Sequence, residues 1–219
     1  MKLVLSTIGI VAIASAVPLP TTNTRADAIP VTANELNGPC RPVTLIFARG
    51  STERGNIGKD VGGPLSVALK ARYGDTGVAT QGVQYQADLP GNLLPAGCYD
   101  QGIEDMAADI KRAASKCPKT KIVIGGYSQG AACTHAAVAK LKPSTIVRIA
   151  AAVTFGDTRN KQSGGHLSPI PASRTKIFCA KGDPVCKGKV AVEPAHFSYT
   201  QDVPYAADFI EDHMEKSLH

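Results

Sequence analysis

The stretch VIGGYSQGAAC, residues 123–133, leads from apolar residues through glycines into alanines, with Ser128 at its centre. GYSQG fits the pattern G-x-S-x-G, in which a nucleophilic serine occupies a sharp turn between a strand and a helix. Glycines flank such a serine because a Cβ atom beside it would clash where the chain reverses. Serine and glycine are common residues, so the surrounding segments must decide between a nucleophile and an ordinary turn.

The sequence around this turn alternates between apolar runs and amphipathic segments. Strands are predicted at 43–48, 77–83, 121–126, 148–155 and 175–180, and helices at about 60–73, 101–116, 129–141 and 206–217. Apolar strands that alternate with helices predict a parallel sheet covered on both faces. We therefore expect an α/β fold, a three-layer α/β/α sandwich around a central, mainly parallel five-stranded sheet. Ser128 follows the third strand, at the carboxyl edge where such sheets place their sites.

The first residues are typical of a secretory signal. Residues 1–16 contain one basic residue, then an apolar stretch and small residues. This stretch is too short to span a bilayer, and no later segment approaches the roughly 20 apolar residues required. Residues 17–38 are interpreted as a propeptide or disordered arm. The remainder, 39–219, has no repeat or linker, so we expect one domain of a secreted, extracellular protein without stable membrane insertion.

Cysteine usage and charge limit the partners. Six cysteines follow the signal, and an even count in a secreted chain predicts three disulfides with fifteen possible connectivities. The sequence contains neither a C-x-x-C motif nor a Cys/His cluster, so we expect no metal site. The formal net charge is +6, with scattered basic residues and 5% aromatics, which does not indicate a nucleic-acid partner. We expect a monomer.

A serine nucleophile needs a base, and the base needs an orienting acid. His196 follows the last predicted strand and a proline-bearing loop, whereas His135 lies two helical turns after Ser128, too far for its ring to reach the hydroxyl. Asp183 lies just past the fifth strand, between two cysteines. Asp157, after the fourth strand, is the competing acid, although its position is more typical of a turn or cap aspartate.

Several separate motifs, in this order, resemble those of the cutinases, small secreted serine esterases of the α/β-hydrolase fold that cleave the aliphatic polyester of plant cuticle. The likeness extends from Cys40 to the last helix. It rests on ARGSTE (48–53), QGV (81–83), KCPKTKIVIGGYSQGAA (116–132), RTKIFCAKGDPVC (174–186) and the segment that ends at His196. The resemblance implies fungal-type secretion, polyester degradation and a small hydrolase without a long lid.

The resemblance also implies the roles of particular residues. Ser128, Asp183 and His196 form the catalytic triad. The oxyanion hole consists of the hydroxyl and amide of Ser51 and the amide of Gln129. The reaction proceeds through an acyl-enzyme, with His196 as base and then as the activator of water, and needs no cofactor.

A substrate crevice is implied between the loop 87–97 and the segment 189–197. Its apolar rim consists of Leu89, Leu93, Leu94, Val190, Val192 and Phe197. The alternative is that some of these are ordinary buried residues. Asn92 matches the position that supports the oxyanion loop, and Glu193 departs from the small apolar residue expected near the histidine, which leaves the fine specificity open.

The disulfide pairing follows from the same resemblance. It implies Cys40–Cys117, which ties the N-terminal arm to the end of a helix, and Cys179–Cys186 around the loop of the acid. Cys98 and Cys133 are then left to pair with each other, joining the crevice loop to the nucleophile helix.

Four functions compete on this evidence. The leading one is a serine esterase, a carboxylic ester hydrolase acting on cutin, aliphatic polyesters and short-to-medium acyl esters. An acetylxylan or other carbohydrate esterase is the alternative, but Ser51 favours a cutinase because those relatives carry threonine there. A small lipase lacks support because no long lid is apparent in 87–100, and a non-catalytic surface binder would not need the intact Ser, His and Asp set. The natural ester, the host and the oligomeric state do not follow from the sequence.

Overall fold

The computed structural model describes residues 29–189 and 191–215. The predicted signal peptide, 1–16, most of the predicted arm, and the crevice residue Val190 lie outside the described residues. The last two residues of the predicted helix 206–217 and the end of the predicted domain 39–219 also lie outside them. The other predictions for strands, helices, disulfides and site residues concern the described part of the chain.

The centre of the fold is a five-stranded sheet in which every pairing is parallel. Its strands are β1 Val43–Ala48, β2 Val78–Gly82, β3 Lys121–Tyr127, β4 Ile149–Phe155 and β5 Thr175–Phe178, in the spatial order β2-β1-β3-β4-β5. Strands β1 to β4 are almost wholly buried, which explains their continuous apolar runs, whereas β5 is a partly exposed edge. The predicted fold class is confirmed.

Helices cover both faces of this sheet. They are α1 Gly63–Tyr73, α2 Asp100–Lys116, α3 Gln129–Ala139, α4 Pro143–Ile146 and α5 Val203–Glu215. On one face α2 and α3 bury side chains such as Met106 and Val138 against the sheet, and on the other α1 and α5 bury Leu69 and Ile210. The result is the predicted three-layer sandwich.

Helix boundaries differ from the prediction in three places. A wide helical turn, Gly58–Gly62, precedes α1, so the regular helix begins later than residue 60. The short helix α4 was not predicted. Helix α5 begins at Val203, three residues earlier than expected, because the chain enters it through the 3-10 turn Tyr199–Asp202.

The structure contains three disulfides, Cys40–Cys117, Cys98–Cys133 and Cys179–Cys186, so all three predicted pairings are present and no cysteine is free. One bond joins the N-terminal segment to the end of α2, and the other two lie at the carboxyl edge of the sheet. Within the described ranges, none of the helices has the length and apolar character needed to cross a membrane.

Candidate active site

Ser128 lies at the turn between β3 and α3 with a backbone φ of 54° and ψ of −117°. A side chain in this left-handed region is strained, at a cost on the order of 1–3 kcal/mol, and such strain concentrates at functional sites. The amide of Ser128 donates to Phe155 O at 2.9 Å, which anchors the turn to β4. A Cβ atom on Gly126 would lie 2.2 Å from Gly130 O, and one on Gly130 would lie 2.0 Å from Ala48 O. Both glycines of GYSQG are therefore needed for the chain to pass.

His196 joins Ser128 to Asp183 through two hydrogen bonds. Its Nε2 lies 2.9 Å from Ser128 Oγ, and its Nδ1 lies 2.8 Å from Asp183 Oδ2. A carboxylate can only accept, so Nδ1 donates to Asp183 and Nε2 is left to accept the serine proton. The other two residues of the array are buried, with 3% of His196 and 1% of Asp183 exposed. This Ser128–His196–Asp183 array has the geometry that activates a serine for nucleophilic attack.

The carboxylate of Asp183 receives two further donors. Val185 N donates to Oδ1 at 2.9 Å, and the Tyr199 hydroxyl donates to Oδ2 at 2.5 Å. Burial, together with this hydrogen bond to Asp183, raises the pKa of the Tyr199 phenol. The sequence did not predict this role for Tyr199, which follows His196 by three residues and is brought to Asp183 by successive 3-10 turns.

The ring of His196 is held by Tyr127, the residue before the serine. The two rings are stacked with their centroids 5.3 Å apart, and the Tyr127 hydroxyl donates to His196 O at 2.7 Å. Burial raises the pKa of Tyr127, so it remains a neutral donor at ordinary pH. The turn that carries Ser128 therefore also fixes the position of His196.

The predicted oxyanion-hole groups lie together beside Ser128. Asn92 Nδ2 donates to Ser51 Oγ at 2.9 Å, and that hydroxyl lies 3.3 Å from Gln129 Oε1. Gln129 is the first residue of α3, so its backbone N–H has no partner within the helix. Asn92 is therefore bonded directly to the serine that the resemblance assigns to the oxyanion hole.

Glu53 is a second residue whose role the sequence did not predict. It holds the loop of Ser51 through hydrogen bonds to the backbone. Its carboxylate accepts from Gly50 N at 2.7 Å and from Asp60 N at 2.9 Å. Burial raises the pKa of Glu53, and the backbone donors oppose that rise. These bonds connect the loop after β1 to the turn before α1 and keep Ser51 at the edge of the sheet.

An open crevice of about 1040 Å³ lies over Ser51, Ser128 and His196. Four of the predicted apolar residues line it and are well exposed, namely Leu89 (62%), Leu93 (75%), Val192 (50%) and Phe197 (64%). Such exposure is incompatible with ordinary core positions. Glu193 is exposed at the N-terminal cap of the turn Pro194–Phe197 and does not line the crevice.

Leu94, also predicted for the apolar rim, is not among the residues that line this crevice. This residue lines a different cavity, of about 530 Å³, together with Gln86 and Tyr99. The 3-10 turn Pro90–Leu93 ends just before Leu94, which continues in an extended conformation with φ −68° and ψ 154°. This change of backbone conformation turns the side chain of Leu94 away from that of Leu93. The segment between β2 and α2 contains this one short turn and no longer helix, so it forms no long lid.

A second His–Asp pair lies close to the array. His135 Nε2 is 2.9 Å from Asp157 Oδ2, and Asp157 is fully buried. The same carboxylate also accepts from Thr154 Oγ1 and Arg159 N, both at 2.8 Å. Asp157 is therefore a turn aspartate, as expected, but its pairing with His135 was not predicted. No group of three or more His, Cys, Asp or Glu residues in the described part of the chain is arranged to hold a metal ion.

Known proteins resemble this chain closely. The family model described as Cutinase matches residues 39–214. A cutinase of Pyricularia oryzae is 44% identical over 198 residues, which cover 90% of this chain and 92% of that protein. A probable cutinase of Aspergillus terreus is 42% identical over 202 residues, 91% of each chain.

Solved structures agree with these relatives. Trichoderma reesei cutinase in complex with a C11Y4 phosphonate inhibitor matches with a TM-score of 0.76 and 34% identity, covering 85% of this chain and 81% of that one. An acetylxylan esterase matches with a TM-score of 0.67 over 80% of this chain and 100% of the other, but at 20% identity the likeness is one of fold alone.

Proposed function

The chain belongs to the cutinase family and is a carboxylic ester hydrolase, and from this premise we propose that it hydrolyses cutin, aliphatic polyesters and short-to-medium acyl esters through an acyl-enzyme on Ser128. One observation carries the proposal. The continuous hydrogen-bonded array from Asp183 through His196 to Ser128 ends in an open crevice with an apolar rim.

In the first step His196 Nε2 takes the proton of Ser128 Oγ as the oxygen attacks the ester carbonyl. Asp183 accepts from Nδ1 and stabilises the imidazolium that forms. Collapse of the tetrahedral intermediate breaks the ester bond, and His196 returns the proton to the departing alcohol. The acyl group remains on Ser128.

The negative charge on the carbonyl oxygen develops beside Ser51 and Gln129. Donors that are already oriented need no reorganisation, and removing one such donor typically costs about 2.7–4 kcal/mol of barrier. Asn92 and Glu53 support this role because they fix the loop of Ser51 on two sides. The hydroxyl of Ser51 can rotate from Gln129 Oε1 towards the new charge.

In the second step His196 activates a water molecule, which attacks the acyl carbonyl from the side that the alcohol has left. The acid is released and Ser128 recovers its proton. The exposed rim supports access for both water and a polymer chain.

The apolar rim favours acyl chains of limited length. Each buried methylene contributes about 0.8 kcal/mol, so each one multiplies kcat/KM by up to roughly fourfold until the chain extends beyond the crevice. We expect butyrate to hexanoate esters to be preferred, without activation by micelles. The short loop over the crevice supports the expectation that micelles do not activate the enzyme, since no lid has to open.

We also propose that the protein is secreted as a monomer, with residues 1–16 as signal peptide, 17–38 as propeptide or arm, and 39–219 as the catalytic domain. Three disulfides support an oxidising, extracellular compartment. N-terminal sequencing of the secreted protein and its mass in solution test both statements.

The proposed specificity is tested by measuring hydrolysis of p-nitrophenyl esters of graded chain length, of acetylated xylan and of cutin. The Ser128→Ala variant serves as the inactive control. Leu93→Ser should lower the hexanoate-to-acetate ratio of kcat/KM by about fourfold per methylene no longer buried. Val147→Ser is the matched control, because Val147 is also an apolar residue, is 67% exposed and does not line the crevice.

Two outcomes would contradict the substrate assignment. Strict preference for acetate together with deacetylation of xylan would indicate a carbohydrate esterase and leave the roles of Ser128, His196 and Asp183 intact. A preference for long chains with a jump in rate above the micelle concentration would indicate a lipase.

A further inference from the structure

The hydroxyl of Tyr199 is buried beneath the acid of the array. The residue is 1% exposed, and its hydroxyl makes two hydrogen bonds, donating to Asp183 Oδ2 at 2.5 Å and accepting from Ala180 N at 3.0 Å. Cys186 Sγ, in the disulfide that brackets the Asp183 loop, lies 3.7 Å away. The phenol is therefore fixed with its proton directed at the carboxylate.

His196 and Tyr199 donate to the same oxygen of Asp183. Oδ2 receives both of them, while Oδ1 receives Val185 N. Three donors on one buried carboxylate stabilise its charged form and fix the plane of the carboxyl group. The direction in which Oδ2 faces His196 Nδ1 then depends on Tyr199 as well as on the disulfide loop.

We propose that Tyr199 is a positioning residue for ester hydrolysis, whose hydroxyl holds the carboxylate of Asp183 aligned on His196. The inference rests on the proposed acyl-enzyme function. Tyr199 does not touch the substrate or the reacting oxygen, so it acts only through Asp183. No atom of Tyr199 is transferred in the cycle, and its proton stays on the phenol.

The ring of Tyr199 has a separate, structural role that a test must keep unchanged. Its centroid lies 5.9 Å from that of Tyr127, 6.0 Å from His196 and 6.3 Å from Phe155. Tyr199→Phe retains these contacts and removes only the hydroxyl. It also leaves Ala180 N without its acceptor, so thermal unfolding is measured beside activity.

The decisive measurement is the pH dependence of kcat/KM for p-nitrophenyl butyrate. A carboxylate with one donor fewer is a stronger base, so the His196–Asp183 pair takes up its proton more readily. In Tyr199→Phe the acidic limb of the profile should therefore move to higher pH by about one unit, with about a tenfold loss on the plateau. Packing alone would not move this limb.

Tyr205→Phe is the control, because Tyr205 is 66% exposed on α5. The pH profile of this variant should match that of the unaltered protein.

A second comparison shows whether Tyr199 acts through Asp183. Adding Tyr199→Phe to Asp183→Asn should cost less than about twofold, since the charge on which the hydroxyl acts is already absent. An equal loss in both backgrounds, or an acidic limb that stays in place in the single variant, would overturn the inference. If the unaltered protein hydrolyses no ester at all, the proposed function fails first, and the two failures remain distinguishable.

Discussion

Two His–Asp pairs lie at the carboxyl edge of the same sheet, and one of them contacts the hydroxyl of Ser128. The bond between His196 and Asp183 is 2.8 Å long and that between His135 and Asp157 is 2.9 Å. Both aspartates are buried. His196 contacts its aspartate through Nδ1 and presents Nε2 to Ser128, whereas His135 uses Nε2 for its aspartate. The two pairs contain the same residue types, and they differ in whether the histidine also faces the hydroxyl of Ser128.

The elements that carry the two histidines explain this difference. His196 comes from a 3-10 turn after β5, which brings its ring to Ser128 from outside α3. His135 lies on α3 itself, seven residues and about 10 Å along the axis from Ser128. A regular helix cannot bring that ring back to its own N-terminus. A loop therefore carries the histidine that contacts Ser128, whereas the helix carries the histidine that bonds to Asp157.

The second pair instead supports the turn of the nucleophile. Asp157 follows β4 directly, where Phe155 O accepts the amide of Ser128 and Thr158 Oγ1 donates to Ser128 O at 3.4 Å. His135 ties this strand end to α3. The pair thus connects the two elements between which the strained serine is held.

The largest expected effect comes from Ser128→Ala, which removes the hydroxyl that contacts His196 and so distinguishes the two His–Asp pairs. Both His–Asp contacts remain, yet esterase activity should fall by at least about 10⁴-fold, because no second nucleophile replaces the hydroxyl. A phosphonate should add its mass to the unaltered protein and not to the variant. Substantial activity in Ser128→Ala, with its thermal unfolding unchanged, would remove the array from the mechanism.

The next effect contrasts the two acids. Asp183→Asn should lower kcat by about 10⁴-fold, since an amide cannot hold His196 in the required tautomer. Asp157→Asn should leave kcat within about twofold and mainly lower the melting temperature, because a buried acceptor of three donors is altered. Activity and unfolding measured on both variants decide between them. The reverse order would identify Asp157 as the catalytic acid.

Much of this arrangement was predictable because it depends on local patterns. Continuous apolar strands, the glycines around Ser128 and the loop position of His196 are each visible within a short window of sequence. The pairing of His135 with Asp157 and the bond from Tyr199 to Asp183 are not, since each joins segments that only the folded chain brings together. The contacts of Glu53 are local, but they depend on the backbone path of residues 50–60, which no periodicity marks. The position of Leu94 in the neighbouring cavity was not visible for a related reason, because the end of a 3-10 turn separates it from Leu93 and no periodicity marks that point.

The smallest expected effect concerns His135 and tests whether the second pair is purely structural. His135→Ala leaves Asp157 with one donor fewer in a buried site, which should cost about 1–3 kcal/mol of stability and lower the melting temperature by several degrees. His135→Gln supplies an amide donor of similar reach and should recover part of that loss. Because His135 does not line the crevice, kcat/KM for butyrate esters should stay within about twofold in both variants, well below the melting transition. A tenfold loss of kcat/KM without a change in melting temperature would show that the second pair takes part in the chemistry. The contrast between a catalytic and a structural His–Asp pair would then no longer hold.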